Sequence, residues 1–159
     1  MSFFDYSNQY DYPIFFEECK VPQQTKIFRE LINKYHSYVK YSDVPQRRIN
    51  YLIYRTSDSK VIGAIGISSC VLAISVRDNY IGWDKETRLK NSNMVANNYR
   101  FCLAPDNGIK NVGTMALKLL RIEGGKRWKE KYGDDLVMLE TFVQPLIKGS
   151  DNKRNGAVY

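Results

Sequence analysis

The stretch Cys102–Leu120, CLAPDNGIKNVGTMALKLL, joins three patterns in one short segment. A strand-like apolar run ends at Pro105, a polar loop with Gly108 follows, and helical spacing begins near Asn111. A helix N-terminus presents unpaired N–H groups and the positive end of the helix dipole, so this order is a common way to hold a phosphate.

The start of this helix contains several groups that suit an anion. Lys110 adds a positive charge, Asn111 is a favourable N-cap residue, Gly113 allows close approach, and Thr114 adds a hydroxyl. The candidate phosphate-binding residues are therefore Lys110, Asn111, Val112, Gly113 and Thr114. Neither GxxxxGK[ST] nor GxGxxG is present, and the alternative is a capped core helix that binds nothing.

The sequence before this segment predicts a strand, a helix and a hairpin. Pro13–Cys19 has the composition of a short strand, and apolar residues then recur at helical spacing from Ile27 to Tyr35. Tyr51–Tyr54 and Val61–Ile67 form a hairpin pattern. Gly63 and Gly66, inside its second strand, indicate a bulge or a close backbone approach.

The later part of the chain adds helices and a final strand. The patterns predict a loop over 77–84, a helix over 84–97, a strand over 99–104, a helix over 111–123 that Gly124-Gly125 breaks, a basic helical turn over 126–132 and a buried strand over 136–143. Strands alternating with helices favour a mixed sheet covered by helices, an α+β or α/β fold. We expect one domain over residues 1–159.

The composition restricts the classes of function. The net charge of +7 and pI of about 9.3 favour anionic partners such as nucleic acid, with a solvated basic surface as the alternative. No apolar run reaches the roughly 18 residues of a membrane span, and no signal peptide is evident. The three cysteines are far apart without a CxxC or Cys/His cluster, so we expect no metal, no disulfide framework and a cytoplasmic setting.

Two further groups of polar residues are candidates for a site. The segment Arg77–Asp84, RDNYIGWD, is followed by asparagines and arginines, a combination that suits recognition of a base or an amide. The candidate substrate-binding residues are Arg77, Asp78, Trp83, Asn98 and Arg100. The alternative is a turn in which Arg77 and Asp78 form an exposed pair of little energetic value.

Two titratable residues are candidate general bases. His36 is the only histidine, and its ordinary pKa suits proton transfer, although a single histidine is more often structural. Glu140 lies in an otherwise apolar strand, where a carboxylate must be paired, protonated or functional.

The blocks IGAIGISS, RDNYIGWD, NNYRFCLAP, NVGTMALKLL, YGDDLVMLETFV and NGAVY, in this order, resemble the DruA family of Druantia antiphage systems. The resemblance covers roughly residues 35–159. More remotely, the layout is similar to Mom-type DNA modification enzymes of the GNAT acyltransferase superfamily. This similarity implies a GNAT-like three-layer fold and acetyl-CoA or another acyl-CoA as cofactor.

In GNAT proteins the cofactor pyrophosphate binds after the fourth strand, which corresponds to residues 106–114. The glycine spacing here meets the usual signature of that loop only in part. Tyr159 stands where GNAT enzymes often place a general acid. Relatives continue beyond their NGAVY-like block, so the sequence is expected to be either a natural short form or a cut chain. A cut chain would have a sheet that lacks its last strands, and its exposed edge strand would favour a homodimer.

These implications give two functional hypotheses. In the first, the domain is an acyltransferase that acts on or near nucleic acid in phage–host conflict, with possible DNA base modification. His36 or Glu140 would take a proton from an attacking amine, and Tyr159 would protonate the leaving thiolate. In the second, the same basic fold is a non-catalytic module that binds nucleic acid or a protein of a defence or mobile-element system.

Overall fold

The computed structural model describes residues 12–36, 41–42 and 46–142. The strands are β1 Ile14–Glu18, β2 Arg48–Arg55, β3 Val61–Ser69, β4 Val95–Leu103 and β5 Met138–Glu140. The helices are α1 Pro22–Tyr35, α2 Ser75–Ile81, α3 Lys85–Asn91, α4 Val112–Leu119 and α5 Gly125–Tyr132. A 3₁₀ turn, Ser92–Met94, precedes β4, and a π-helical turn, Leu120–Gly124, joins α4 to α5.

The strands form one mixed sheet in the order β1-β2-β3-β4-β5. The first four strands pair antiparallel, whereas β5 runs parallel to β4 and pairs only with Val95–Asn97. The parallel pair requires a crossover, which α4, the π turn and α5 supply. The prediction of an α+β fold with a mixed sheet and covering helices is therefore confirmed.

Helices cover both faces of the sheet. On one face, Phe28 and Ile32 of α1 pack with Leu52, Ala64 and Cys102. The other face carries the larger core, in which strand residues such as Ile65 and Ile67 pack against α4 and α5; its largest fully buried side chain is Trp128. In α1, the spacing of Phe28 and Ile32 gives the helix one apolar side, and Pro22 occupies its first turn.

The two glycines of β3 lie where the strands approach most closely. A Cβ atom on Gly63 would lie 2.5 Å from the Cys102 carbonyl oxygen. A Cβ atom on Gly66 would lie 2.7 Å from Asn50 Oδ1 and 2.8 Å from Tyr99 Cε1. The predicted bulge or close approach at these positions is confirmed, and the β3–β4 register shifts directly after Gly66.

The prediction of a loop over residues 77–84 is wrong for residues 77–81 and is confirmed only for residues 82–84. Residues Ser75–Ile81 form α2, which ends at Gly82 in the left-handed conformation with φ of 81°. The buried side of this helix consists of Arg77 and Asp78, which are charged and therefore leave no apolar periodicity to detect. The alternative interpretation, an exposed Arg77–Asp78 pair, is also wrong, because both side chains are 7% exposed.

Three predicted boundaries also differ from the structure. The helix predicted over 84–97 ends at Asn91, and β4 begins at Val95. Gly124-Gly125 do not break the helix, because the π turn continues it into α5. Of the predicted strand over 136–143, only Met138–Glu140 pairs with the sheet, and residues from 143 onward lie outside the described part of the chain.

Within the described ranges, none of the helices combines the length and the apolar character that crossing a membrane requires.

Candidate functional site

One face of the sheet changes from apolar to polar along its strands. Beneath α1, the paired residues Leu52, Ala64 and Cys102 form an apolar row. Paired residues lie on the same face of a sheet, and every second residue returns to that face. The next two rows are therefore polar, and we call them the polar face; its residues are Arg48, Asn50, Gly66, Ser68, Asn97, Tyr99, Arg100 and Glu140.

A β-bulge at Tyr99 shapes the polar face. Gly66 pairs with Arg100 and Ile67 pairs with Asn98, so Tyr99 is the extra residue of β4. Its hydroxyl donates a hydrogen bond of 2.6 Å to Asn50 Oδ1, and its ring lies over Gly66, where no side chain competes for the space. Burial raises the pKa of Tyr99 to about 12, so this hydroxyl stays protonated and keeps donating.

The polar face holds two buried polar atoms that lack hydrogen bonds to the described residues. Asn97 is 7% exposed, and its Oδ1 atom accepts no hydrogen bond. The Nε atom of Arg100 is also buried and donates none, although its Nη1 atom donates to the Tyr99 carbonyl at 2.7 Å. Leaving such groups unpaired costs about 1–3 kcal/mol each, so an acceptor and a donor on one face mark a place for a polar ligand.

Asn98 has a different role from its neighbour. In the amide orientation that satisfies both of its groups, its nitrogen donates to the Arg100 carbonyl at 3.0 Å and the Gly66 carbonyl at 3.3 Å. These bonds bridge the backbone across the bulge. Asn98 therefore holds the strand that positions Arg100, and Asn97 is the asparagine whose acceptor is left open.

Four charged side chains form a buried network beside the polar face. Arg77 Nη1 lies 3.1 Å from Glu140 Oε2, Arg77 Nη2 lies 2.9 Å from Asp78 Oδ1, and Arg88 Nη1 lies 2.8 Å from Asp78 Oδ2. The side chains of Arg77 and Glu140 are 7% and 11% exposed. Hydrogen bonding from Arg88 is the main reason that the pKa of Asp78 lies below its usual range.

All five N–H groups of Arg77 have acceptors within this network. Besides the two carboxylates, they donate to the carbonyl oxygens of Val71 at 2.8 Å and Leu72 at 2.9 Å. Glu140 accepts a second bond, from the Val71 amide at 3.1 Å. The network thus fastens the segment after β3 to α2 and β5. The indole of Trp83 also belongs to it, because the Arg77 guanidinium lies 5.8 Å from its ring centre.

The predicted phosphate loop lies at the other end of β4. Asn111 is the N-cap residue of α4, as predicted, but its backbone is left-handed with φ of 57° and its side chain makes no capping bond. Lys110, Asn111 and Thr114 are exposed, whereas Val112 and Gly113 are buried. Asn107 orders the loop: its side chain donates to the Ala104 carbonyl and accepts from the Ile109 amide, while Arg55 binds its carbonyl.

Two predicted site residues remain, His36 and Tyr159. His36 is the residue after α1, where its amide donates to the Ile32 carbonyl at 2.9 Å. Tyr159 lies outside the described residues. The structure therefore brings together Arg77, Asp78, Trp83 and Glu140, and places Asn98 and Arg100 on the neighbouring strand. The spacing of the sequence did not reveal Asn97 or Arg88 as partners, because a bulge and a short polar helix position them.

The cysteines and acidic residues give no sign of covalent or metal chemistry in the described ranges. Burial raises the pKa of the Cys102 thiol to about 11 and is also the main cause of the raised pKa of Cys70. These thiols are therefore protonated near neutral pH and weakly nucleophilic. Among the described residues, no three His, Cys, Asp or Glu side chains are grouped closely enough to hold a metal ion.

The comparisons with known proteins identify the family. The family model described as Druantia protein DruA matches residues 14–151. The chain is also similar to the Druantia protein DruA of Escherichia coli (strain UMEA 4076-1), with 48% identity over 42 residues, and this match covers 26% of the chain and 10% of that relative. No solved structure matches the chain significantly. Since the family model spans most of its 159 residues, the chain belongs to the DruA family.

Proposed function

We propose that this chain is a nucleic-acid-binding domain of a Druantia-type antiphage system, and that its polar face receives an unpaired base. The observation that carries the proposal is the unsatisfied pair on that face, the Asn97 Oδ1 acceptor and the Arg100 Nε donor. Nucleobase edges present donors and acceptors side by side, and amide and guanidinium groups are their usual protein partners. Membership of the DruA family supports the antiphage setting.

The charge of the chain supports the same partner. A net charge of +7 attracts the phosphates of a nucleic acid whatever its base sequence, whereas the polar face would supply contacts that depend on the base. Because the side chains of the polar face are buried or half-buried, a base must leave its stack to reach them. The proposal therefore specifies single-stranded rather than duplex nucleic acid.

Fluorescence anisotropy with labelled single-stranded DNA and RNA of each base, measured across a salt series, tests this proposal. We expect Asn97→Ala to reduce the differences in affinity between bases while the slope of log K against log salt stays the same, since a neutral amide neutralises no phosphate charge. Asn79→Ala, at an exposed position of α2, is the matched control. Equal binding of all bases by the intact chain, or unchanged base preference in Asn97→Ala, would overturn the proposal.

A second candidate function is GNAT-type acyl transfer to an amine, and the topology favours it. Strand β5 runs parallel to β4 and, within the described residues, pairs with its first half at Val95–Asn97, whereas the second half of β4 leads into the α4 start. An acyl-CoA would lie beside this half of β4, with its phosphates at Lys110–Thr114. Glu140, held between Arg77 and the Val71 amide, is poorly placed to act as a base in this scheme.

A thermal-shift titration with acetyl-CoA and CoA tests the second function. We expect a rise in melting temperature for the intact chain and its loss in Gly113→Asp, which places a carboxylate at the helix start where phosphate would bind. Thr87→Asp, in the first turn of α3, is the control for adding a carboxylate near a helix start. An intact chain without a shift at millimolar acetyl-CoA would exclude the acyl-CoA function.

A further inference from the structure

A polar cleft lies on the face of the sheet opposite the polar face, and it takes part in neither function proposed above. It has a volume of about 230 Å³ and lies between strands β1 and β2 and helix α5. We call it the α5 cleft; its lining residues are Phe16, Glu18, Tyr51, Glu123, Lys126, Arg127 and Glu130. The π turn Leu120–Gly124 forms part of its rim, and π turns inside helices occur frequently at functional sites.

The floor of the α5 cleft holds a hydroxyl without a partner. Tyr51 is 4% exposed, and its Oη atom is buried without a hydrogen bond to the described residues. Burial is the main reason that the pKa of Tyr51 is raised, and the negative charges of Glu18 and Glu123 raise it further. Tyr51 lines the cleft together with the charged groups that act on its hydroxyl. A phenol oxygen in this position can accept a hydrogen bond.

The charges around Tyr51 are divided between paired and unpaired groups. Glu18 accepts from Arg127 Nε at 2.6 Å, and Arg127 Nη1 lies 3.3 Å from Glu130 Oε2, so Arg127 is occupied by its own carboxylates. Glu123 has no ion pair with any of the described residues. Glu18 is also paired with Lys20 at 3.8 Å and Lys131 at 3.7 Å, so Glu123 is the carboxylate available to a ligand.

Aromatic rings complete the lining. The rings of Phe16 and Tyr51 stack with their centres 5.3 Å apart at the wall of the cleft. Aromatic faces beside carboxylates attract organic cations, and a planar guanidinium can both stack on a ring and donate several hydrogen bonds. An anion would instead meet the carboxylates that already raise the Tyr51 pKa.

We propose that the α5 cleft binds a guanidinium group, which donates to Glu123 and Tyr51 Oη and stacks on the Phe16–Tyr51 pair. A small guanidinium compound or an arginine side chain of a partner protein could supply this chemistry. Both sources use the same contacts and are distinguished by the probes below. The proposal stands apart from nucleic-acid binding on the other face of the sheet.

Isothermal titration calorimetry with agmatine, at low ionic strength, tests the proposal. We expect saturable binding of agmatine and none of tetramethylammonium, which has the same kind of charge but no N–H donor. Tyr51→Phe removes only the acceptor and should weaken agmatine binding roughly three- to tenfold, and Glu123→Gln should weaken it at least as much. Tyr80→Phe, at a tyrosine that is 92% exposed, is the matched control.

The stability of the variants is checked in the same samples. Because the Tyr51 hydroxyl has no partner in the free protein, Tyr51→Phe should melt at or above the temperature of the intact chain.

A peptide such as acetyl-Gly-Arg-Gly-amide that competes with agmatine identifies a protein side chain as the source, and agmatine binding without peptide binding identifies a small molecule. Absence of saturable agmatine binding, or equal binding by Tyr51→Phe and Glu123→Gln, would overturn the proposal.

Discussion

Arg77 Nη1 lies 3.1 Å from Glu140 Oε2, which joins α2 to the last described strand across 63 residues of sequence. The same guanidinium holds Asp78 and the carbonyl oxygens of Val71 and Leu72. An arginine with every donor occupied positions its neighbours and has no donor left for a ligand. The network therefore ties β5 to α2 beside the polar face.

The first prediction concerns the stability that this network provides. Arg77→Ala leaves the Glu140 carboxylate without its ion-pair partner and leaves Asp78 with Arg88 alone, so we expect a loss of about 3 kcal/mol in the free energy of unfolding. Urea unfolding at neutral pH measures it. Lys129→Ala is the control, because its ion pair with Asp135 is mostly exposed and should contribute less than about 1 kcal/mol. Equal effects of the two substitutions would contradict a structural role for Arg77.

The second prediction concerns the acid side of the stability curve. The pKa of Asp78 is lowered below its ordinary 3.8 in the folded state, chiefly by Arg88, so the unfolded state binds the proton more readily. The stabilising contribution is therefore present above about pH 4 and is lost as the pH falls below that value. Unfolding free energies between pH 5 and 2 should fall more steeply for the intact chain than for Asp78→Asn. Parallel curves would show that Asp78 does not contribute to the pH dependence.

The third prediction compares two glycines. Gly66→Ala would bring a Cβ atom to 2.7 Å from Asn50 Oδ1 and 2.8 Å from Tyr99 Cε1, so the Asn50–Tyr99 hydrogen bond must move. We expect a destabilisation of about 1–3 kcal/mol by overpacking. Gly125→Ala meets nothing within 4 Å in α5 and should be neutral or stabilising by up to about 1 kcal/mol. Thermal unfolding of both variants measures these effects. The prediction is wrong if Gly66→Ala is as stable as the intact chain.

The sequence predicted those elements whose apolar spacing corresponds to their burial. In α1, Phe28 and Ile32 face the sheet at helical spacing, and the β2–β3 hairpin has apolar runs on both sides of a polar turn. The crowding around Gly66 was also predictable, because glycine within a strand has few other uses. The sequence patterns that predict these features each lie within a short stretch of the chain.

The features that the sequence did not predict depend on contacts between residues that are far apart along the chain. Helix α2 buries Arg77 and Asp78 against Glu140 and Arg88, and no local pattern of apolar residues marks such a helix. Gly124 was predicted to end a helix, yet it lies where α4 continues through a π turn, with its Cβ position 3.4 Å from Ile67 Cδ1. The open acceptor of Asn97 lies two residues before the Tyr99 bulge, and the residue order shows neither feature.

The fourth prediction tests whether Asn111 serves the backbone or a ligand. Its φ of 57° is a left-handed conformation that asparagine and glycine tolerate and branched residues do not. We expect Asn111→Gly to leave the melting temperature nearly unchanged and Asn111→Val to destabilise the chain by about 1–2 kcal/mol. Ser59, with φ of 54°, supplies the control pair Ser59→Gly and Ser59→Val in the β2–β3 turn.

If Asn111→Gly keeps its stability yet loses an acetyl-CoA-induced shift, the side chain contacts the cofactor. If the shift survives in Asn111→Gly, the residue is required only for the turn that begins α4. Equal stability of Asn111→Gly and Asn111→Val would contradict the conformational explanation.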